Sequence, residues 1–237
     1  MECFCGSLNF TLTCFPNYVK CLNCGSWRAI EITPPIDVYT DKYWTHEKGR
    51  STLEEQWNNL TLPFEDKQSR VDFWLTMIKD IPIGKSYEIG CAPGALMLYM
   101  NKLGWETSGI ETNEYIASKI SQPVSVGFFP DVEISDKFDL VVCTDVLEHS
   151  LDPRKFMAKI YNMLKPNGYG LIQAPTWLYD KSSSEPFANK TQALFNDIEH
   201  IFIFSLYGIL NLFISNGFEI VKMERWYLGH ECFLIIK

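Results

Sequence analysis

SYEIGCAPGALMLYMNKLGWETSGIE, residues 86–111, reads as a short strand, a glycine-bearing turn, a helix, a second strand and an acidic residue. Tyr87 and Ile89 supply the apolar strand. Gly90 and Gly94 bracket Cys91, Ala92 and Pro93, where the backbone must bend tightly beside a ligand. Ala95, Leu96, Leu98, Tyr99 and Leu103 give the helix a buried face, Gly104 ends it, and Trp105 to Ile110 form the next strand. Glu111 falls at the carboxyl end of that strand, where such units place an acid that accepts both ribose hydroxyls of an adenosine-containing cofactor. The pattern is half of a nucleotide-binding α/β unit.

The turn discriminates between two cofactor classes. A dinucleotide site needs GxGxxG, so that a pyrophosphate sits on bare backbone at the helix start. Here Ala92 replaces the middle glycine, and Glu88 aims a carboxylate at the same place. An anionic pyrophosphate is repelled there, whereas a sulfonium and an ammonium group are attracted. The stretch resembles motif I of the class I S-adenosylmethionine methyltransferases, an acid and one further residue before GxGxG, with Ala92 departing from it by a methyl group. The resemblance implies S-adenosylmethionine as cofactor, held in this half by Glu88, Gly90, Cys91, Ala92, Gly94, Glu111 and Thr112. Further on, in FFPDVEIS, it implies that Asp131 accepts the adenine amino group, with Phe128 or Phe129 as the wall against the ring.

A second diagnostic stretch covers residues 138–175, FDLVVCTDVLEHSLDPRKFMAKIYNMLKPNGYGLIQAP. Phe138 to Cys143 form a central strand, and Thr144 and Asp145 emerge at its carboxyl end, where open parallel sheets bind ligands. Asp152 caps a helix whose first residue is Pro153, and Phe156, Ile160 and Leu164 line its buried face. Pro166, Asn167 and Gly168 turn the chain into a strand from Tyr169 to Ala174. Strand, DVLEH, helix, LKPxG and strand resemble the ubiquinone-pathway and related small-molecule methyltransferases, and the later EHIFIFSLYGILNLFISNGFEIV extends the resemblance to residues 86–237. It implies a Rossmann-like seven-stranded α/β sheet, its last strand antiparallel, with helices on both faces. Thr144 joins the cofactor residues. A subset of these enzymes binds a divalent cation through an acid, xx, EH triplet, to which its RNA-modifying members add a later histidine; the matching positions here are Asp145, Glu148, His149 and His200. Such an ion, Mg or Mn, would hold and acidify an acceptor hydroxyl. Two alternatives remain at those positions: Glu148 and His149 shape the pocket by hydrogen bonding, or His149 is a general base, histidine's unperturbed pKa of about 6.5 suiting that work near neutrality.

The N-terminus carries a metal-site pattern. Cys3 and Cys5 in ECFCGS, then Cys21 and Cys24 in KCLNCGS, make two knuckles with fifteen residues between them. Each outer cysteine is followed by Gly and Ser, which lets backbone amides turn toward the sulfur. Four thiolates at that spacing suit structural, tetrahedral zinc. Leu8, Phe10 and Leu12 alternate with polar residues before a turn at Pro16 and Asn17, giving the hairpin of a zinc ribbon. The first knuckle is CxC, which leaves Cys14 as a substitute ligand, and disulfides are the alternative use of the same cysteines.

Between ribbon and main domain, residues 27–49 are aromatic and irregular, and Tyr39, Tyr43 and Trp44 either pack the connection or close over a ligand. Ser51 begins a helix with Glu54 at its capping-box position, and Glu65 to Lys79 form another. Residues 177–198 are long and polar enough for a substrate loop. The chain then closes with a helix near Ser205–Asn216 and strands Phe218–Glu224 and Glu231–Ile236. The resulting organisation is a zinc-binding ribbon at 1–30, an aromatic linker with helices at 31–80, and a methyltransferase domain at 81–237.

Composition bounds the partners. At 237 residues, with 46% apolar and 14% aromatic residues, the chain can bury a large core. A net charge of −8 argues against a long nucleic acid. No apolar run approaches the roughly 20 residues that cross a bilayer, and the opening lacks a secretory signal pattern, so a cytoplasmic location is expected. The expectation is a methyltransferase acting on a hydroxyl or amine of a small molecule; the N-terminal ribbon resembles those that precede some deoxysugar methyltransferases, which implies a sugar or nucleotide sugar as first acceptor. The competing readings are a non-catalytic binding module docking through its ribbon and a NAD-dependent oxidoreductase.

Overall fold

The computed structural model describes residues 1–13, 15–33, 38–39, 52–63, 68–177, 199–226 and 230–237. In order these form β1 (Phe10–Leu12), β2 (Tyr18–Cys21), β3 (Trp27–Ala29), α1 (Leu53–Thr61), α2 (Arg70–Ile78), β4 (Lys85–Ile89), α3 (Ala95–Lys102) and β5 (Glu106–Glu111). Then come α4 (Glu114–Ala117), β6 (Val124–Val126), β7 (Phe138–Thr144), a 3-10 turn (Leu147–His149), α5 (Pro153–Met163) and β8 (Leu164–Trp177). The chain ends with β9 (Phe202–Ser205), α6 (Leu206–Ser215), β10 (Glu219–Trp226) and β11 (His230–Ile236).

Seven strands form the expected sheet in the order β6-β5-β4-β7-β8-β11-β10, parallel as far as β8, with β11 antiparallel to both its neighbours. Its strands are apolar on both faces because both are covered. Val141, Cys143, Ile172, Phe233 and Ile235 point to one side, where they pack in one core with Phe156 and Ile160 of α5 and Ile209 and Phe213 of α6. The alternate residues Leu140, Val142, Leu171, Cys232 and Leu234 meet Val71 and Trp74 of α2 and Leu96 and Met100 of α3 on the other. No helix among the described residues is long and apolar enough to cross a membrane.

The N-terminal hairpin forms as read, with Phe10 opposite Cys21, and β3 adds beside β2 with Tyr18 opposite Ala29. It does not stop there. β3 pairs with β9, Trp27 opposite Ile203 and Arg28 opposite Phe202, and β9 pairs with the far end of β8, so the hydrogen-bonded sheet runs through eleven strands. β8 is accordingly longer than the Tyr169–Ala174 reading. Leu164 already bridges Phe138, residues 165–168 bulge out with Asn167 at φ 60°, and Tyr169 rejoins opposite Leu140.

Local capping sets the helix starts. Thr52 and Glu55 bond reciprocally at the start of α1, one residue later than the Ser51 and Glu54 reading; Ser51 itself lies outside the described residues. Ser69 caps α2; residues 64–67, where an earlier start was expected, also lie outside the described residues. At α5, Asp152 accepts from the amides of Arg154 and Lys155 at 3.0 and 3.1 Å, with Pro153 as the first helical residue. Asp152→Ala is therefore expected to lower stability by about 1 kcal/mol in urea unfolding, and Asp152→Asn to retain most of it.

Candidate active site

Carboxyl ends of β4, β5 and β7 open into one cavity of about 440 Å³, within the range of small-ligand sites. At its β4 corner the chain leaves Ile89 through Gly90 (φ 68°) and enters α3 through Gly94 (φ 86°), and Ala92 is not among the positive-φ residues. Glycine is thus required at the two ends of the turn and not at its middle, which explains why alanine stands there. A Cβ on Gly90 would lie 2.6 Å from Val146, and one on Gly94 2.7 Å from Ile120. Gly90, Cys91 and Ala92 line the cavity; Gly94 does not, and acts as the N-cap of α3.

Two acids face this cavity. Glu88 is 7% exposed, burial pushes its carboxyl up to about 8, and nearby Glu111 adds to the shift. The Met97 backbone bonds its carboxylate, but Oε2 has no hydrogen-bond partner among the described residues. Glu111, 5% exposed, accepts through Oε1 from the amides of Thr112 and Asn113 at 2.8 and 3.1 Å and from the Thr112 hydroxyl at 3.0 Å. These bonds oppose the upward push of burial. A buried acid with an unsatisfied oxygen, beside a second acid and an open cavity, fits a cationic adenosyl ligand and disfavours a pyrophosphate.

Thr112, Phe129 and Thr144 also line the cavity, with Gly127 and Phe128 beside Phe129. Phe129 is fixed edge-on to Phe156 at 4.5 Å. Asp131 is not among the lining residues: its carboxylate, 62% exposed, pairs with Lys155 Nζ at 2.6 Å. The geometry therefore offers Asp131 a surface ion pair in place of the adenine contact expected of it, since Phe129 turns into the cavity and the chain carries Asp131 outward.

The opposite end of the cavity gathers Glu148, His149 and His200, whose ligand atoms lie within 4.8 Å of one another. His149 Nδ1 sits 2.8 Å from the carbonyl of Glu199. A carbonyl only accepts, so Nδ1 carries the proton and the neutral ring presents its lone pair at Nε2, 3.9 Å from Glu148 Oε1. One carboxylate and two imidazoles suit a divalent ion with positions left open. Asp145 does not join them. At φ 57°, it pairs with Arg70 and accepts from Gln173 Nε2 at 3.0 Å, while Gln173 Oε1 accepts from Trp74 Nε1 at 2.8 Å. A guanidinium, and not the Glu148, His149 and His200 cluster, is what the Asp145 carboxylate faces.

Arg70, Trp74, Gln173 and Glu199 are not singled out by the sequence reading. The signals were present: Arg70 and Trp74 stand one helical turn apart, and Glu199–His200 repeats the Glu148–His149 pair. Tyr39 reaches the cavity and packs edge-on to His149 at 5.8 Å. Tyr43, Trp44 and the polar stretch at 178–198 lie outside the described residues.

In the ribbon, Cys3 and Cys24 sulfurs are 3.6 Å apart, as are those of Cys5 and Cys21, and all four lie within 4.8 Å of one another. Disulfide sulfurs sit at about 2.05 Å, whereas Zn–S bonds of about 2.3 Å put sulfurs near 3.8 Å in a tetrahedron. The donor set fits zinc. Gly6 and Gly25, at φ 82° and 74°, turn the two knuckles, and hydrogen bonding from Cys3 pulls the Cys24 thiol below its ordinary value. Cys14 lies outside the described residues.

Residues 79–223 match the family described as a methyltransferase domain, and the chain belongs to it. Among curated proteins it is similar to the ubiquinone biosynthesis O-methyltransferase of Caulobacter vibrioides, 29% identical over 138 residues covering 53% of this chain and 55% of that one. The mitochondrial ubiquinone biosynthesis O-methyltransferase of Schizosaccharomyces pombe is 27% identical over 96 residues, 35% of each chain. The chain thus spans about half, or less, of the length of these relatives. Among solved structures, an S-adenosylmethionine-dependent methyltransferase from Clostridium acetobutylicum superposes with TM-score 0.57 at 11% identity, covering 78% of this chain and 97% of that one. Magnesium protoporphyrin IX methyltransferase from Synechocystis, solved with bound SAH, gives 0.54 at 17% identity, covering 71% and 82%. These likenesses establish the fold. Gly90→Ala, strained in φ and blocked by Val146, is expected to cost about 1–3 kcal/mol in urea unfolding, against under 0.5 kcal/mol for exposed Lys119→Ala.

Proposed function

We propose that the chain is an S-adenosylmethionine-dependent methyltransferase acting on a hydroxyl, or an amine, of a small molecule. The observation that carries this reading is Glu88: a buried carboxyl raised to about 8, with one oxygen lacking a hydrogen-bond partner among the described residues, lining a cavity that Glu111 shares. S-adenosylmethionine, when bound, supplies an electrophilic sulfonium methyl. The chain's part is to bind and align. Glu88 favours the positive charge, Glu111 takes the ribose hydroxyls, the Gly90–Ala92 backbone allows close approach, and Phe129 flanks the adenine. At the other end His149 offers Nε2 to an acceptor proton, with Glu148 beside it. In the alternative, Mg or Mn held by Glu148, His200 and the same Nε2 of His149 would acidify an acceptor hydroxyl in place of that base; Asp145 is not part of that set.

The relatives' names favour a hydroxyl acceptor. A sugar or nucleotide sugar is the narrower reading and rests on the ribbon resemblance alone. Structural zinc at Cys3, Cys5, Cys21 and Cys24 completes the proposal. A cytoplasmic location accords with seven described cysteines free of disulfides. The NAD-dependent alternative has the Glu88 carboxylate against it, and the docking alternative has β3 already paired to β9.

Calorimetry with S-adenosylmethionine, followed by S-adenosylhomocysteine detection over phenolic, sugar and amine acceptors, tests the reading; binding of NADH without S-adenosylmethionine would overturn it. Because Glu88 is mostly protonated at pH 7 and a bound cation favours its charged form, binding should release close to one proton at pH 7 and almost none above pH 9. Glu88→Gln abolishes that release and weakens binding roughly 30-fold or more, from a loss on the order of 2–5 kcal/mol. The sign for stability is opposite. A carboxyl whose folded pKa is raised contributes stability that is present below about 4.5 and is lost as pH rises toward 8, so Glu88→Gln makes the cofactor-free protein more stable above pH 8. For the cation, His200→Ala should abolish Mn²⁺ binding read by EPR; turnover indifferent to both EDTA and His200→Ala would remove it.

A further inference from the structure

The segment 199–205 lies between the cavity and the ribbon and is bonded to both. On the cavity side, Ile201 N donates to Glu148 O at 3.0 Å, the Glu199 carbonyl meets His149 Nδ1, and the His149 and His200 rings stand 5.1 Å apart. On the ribbon side, the Tyr18 hydroxyl donates to the His200 carbonyl at 2.7 Å, buried. Ala29 N donates to Ile201 O at 2.9 Å, and β3 continues the pairing through Ile203. Beyond that, Ser205 N donates to Ser26 Oγ at 2.9 Å, and the Ser205 hydroxyl donates to the carbonyl of Cys24. Phe4, between the first two cysteines, packs edge-on to Phe202 and Phe204 at 5.4 and 5.3 Å.

From these contacts we infer that the ribbon is the frame that builds the acceptor end of the cavity, with Tyr18 as a positioning residue for His200, and that metal at the four cysteines is what keeps the frame in shape. Four parts of the ribbon have a contact on 199–205: Phe4 from the first knuckle, Tyr18 from β2, Cys24 and Ser26 from the second knuckle, and β3. The inference rests on the reading of Glu148, His149 and His200 as the acceptor end. Isolated strands of three or four residues do not hold a register by themselves. Four cysteine ligands supply the missing constraint, since structural zinc contributes folding free energy directly. The cofactor end depends on β4, β5 and α3, which share the larger core with the ribbon through Ile89 and Ile110 but take part in none of the hydrogen bonds and ring contacts just named, so the two ends should respond differently.

The test uses the full chain, purified with zinc and carrying ¹³C-labelled histidine rings, His149 and His200 being assigned by replacing each in turn with Gln. One arm is Tyr18→Phe with zinc content unchanged. The other strips the cysteine-bound zinc with a chelator, counted as metal released. In both arms the His149 and His200 ring resonances should move at fixed pH. Amide exchange at Ile201 and Ile203 should rise at least about tenfold after zinc removal, while Ile89 and Ile110 keep their protection. S-adenosylmethionine affinity should stay within about twofold. Unmoved ring resonances in Tyr18→Phe, or unchanged exchange at Ile201 and Ile203 without zinc, would return the ribbon to an independent module. Collapse of protection at Ile89 together with Ile201 would make zinc a global fold requirement and equally overturn the inference. If the untreated protein binds no S-adenosylmethionine, the methyltransferase reading fails while the histidine and exchange signals still decide the coupling.

Discussion

Two carboxyl groups buried at the rim of one sheet are costly to charge together in the absence of a cation, and the rest of the molecule is arranged to keep them there. Glu88 and Glu111 end neighbouring parallel strands whose register sets Glu88 opposite Gly109 and Ile89 opposite Ile110. The strands lie close because Gly109 has no side chain: a Cβ there would come within 2.8 Å of the Glu88 carbonyl and 3.1 Å of Cys91 Sγ. Helix α3 closes the crevice from one side, and α5, through Phe156 and Phe129, from the other. Desolvation thus raises the cost of ionisation in the free protein and raises the preference for a positive ligand by the same physics.

The second organising element is β8, which shares edges with β7, β11 and β9. Its Gln173 links the core to the cavity, donating to Asp145 and accepting from Trp74. Its last residues carry the sheet on to β9 and so to the ribbon. A single strand therefore ties together the floor under Asp145, the antiparallel closing strand and the segment that bears His200. Arg70, stacked over Trp74 at 5.0 Å and paired to Asp145, brings α2 into the same unit.

What was legible in the sequence was local. Strand, glycine turn, helix, strand and acid follow one another within 26 residues, and each step is set by periodicity or by a residue with special backbone needs. Asp152 and Pro153 announced α5, and paired CG turns announced the ribbon. What was not legible was pairing at a distance. Strands of three or four residues such as β3 and β9 leave no periodicity to read, and nothing in SWRAI names FIFS as its partner some 170 residues later. The same holds for side chains. Asp145 matched a ligand position by motif, but its actual partner, Arg70, lies on a helix 75 residues upstream and is visible only once the helix is docked. Asp131 sat in the expected loop, yet that loop turned its phenylalanine inward and its carboxylate to Lys155. At α1 two hydroxyls, each with a glutamate three positions on, competed for one cap, and the second holds it.

The carbonyl of Glu199 has one more effect. By occupying Nδ1 of His149 it leaves the imidazole a single working edge, so on the proposed general-base reading a proton collected at Nε2 would have no exit through the far side of the ring into the protein. It would depart by the way it came, into the mouth of the cavity, after the product had moved aside. On that reading the ring is a cul-de-sac for protons and not a relay, and its recharging is coupled to each emptying of the site.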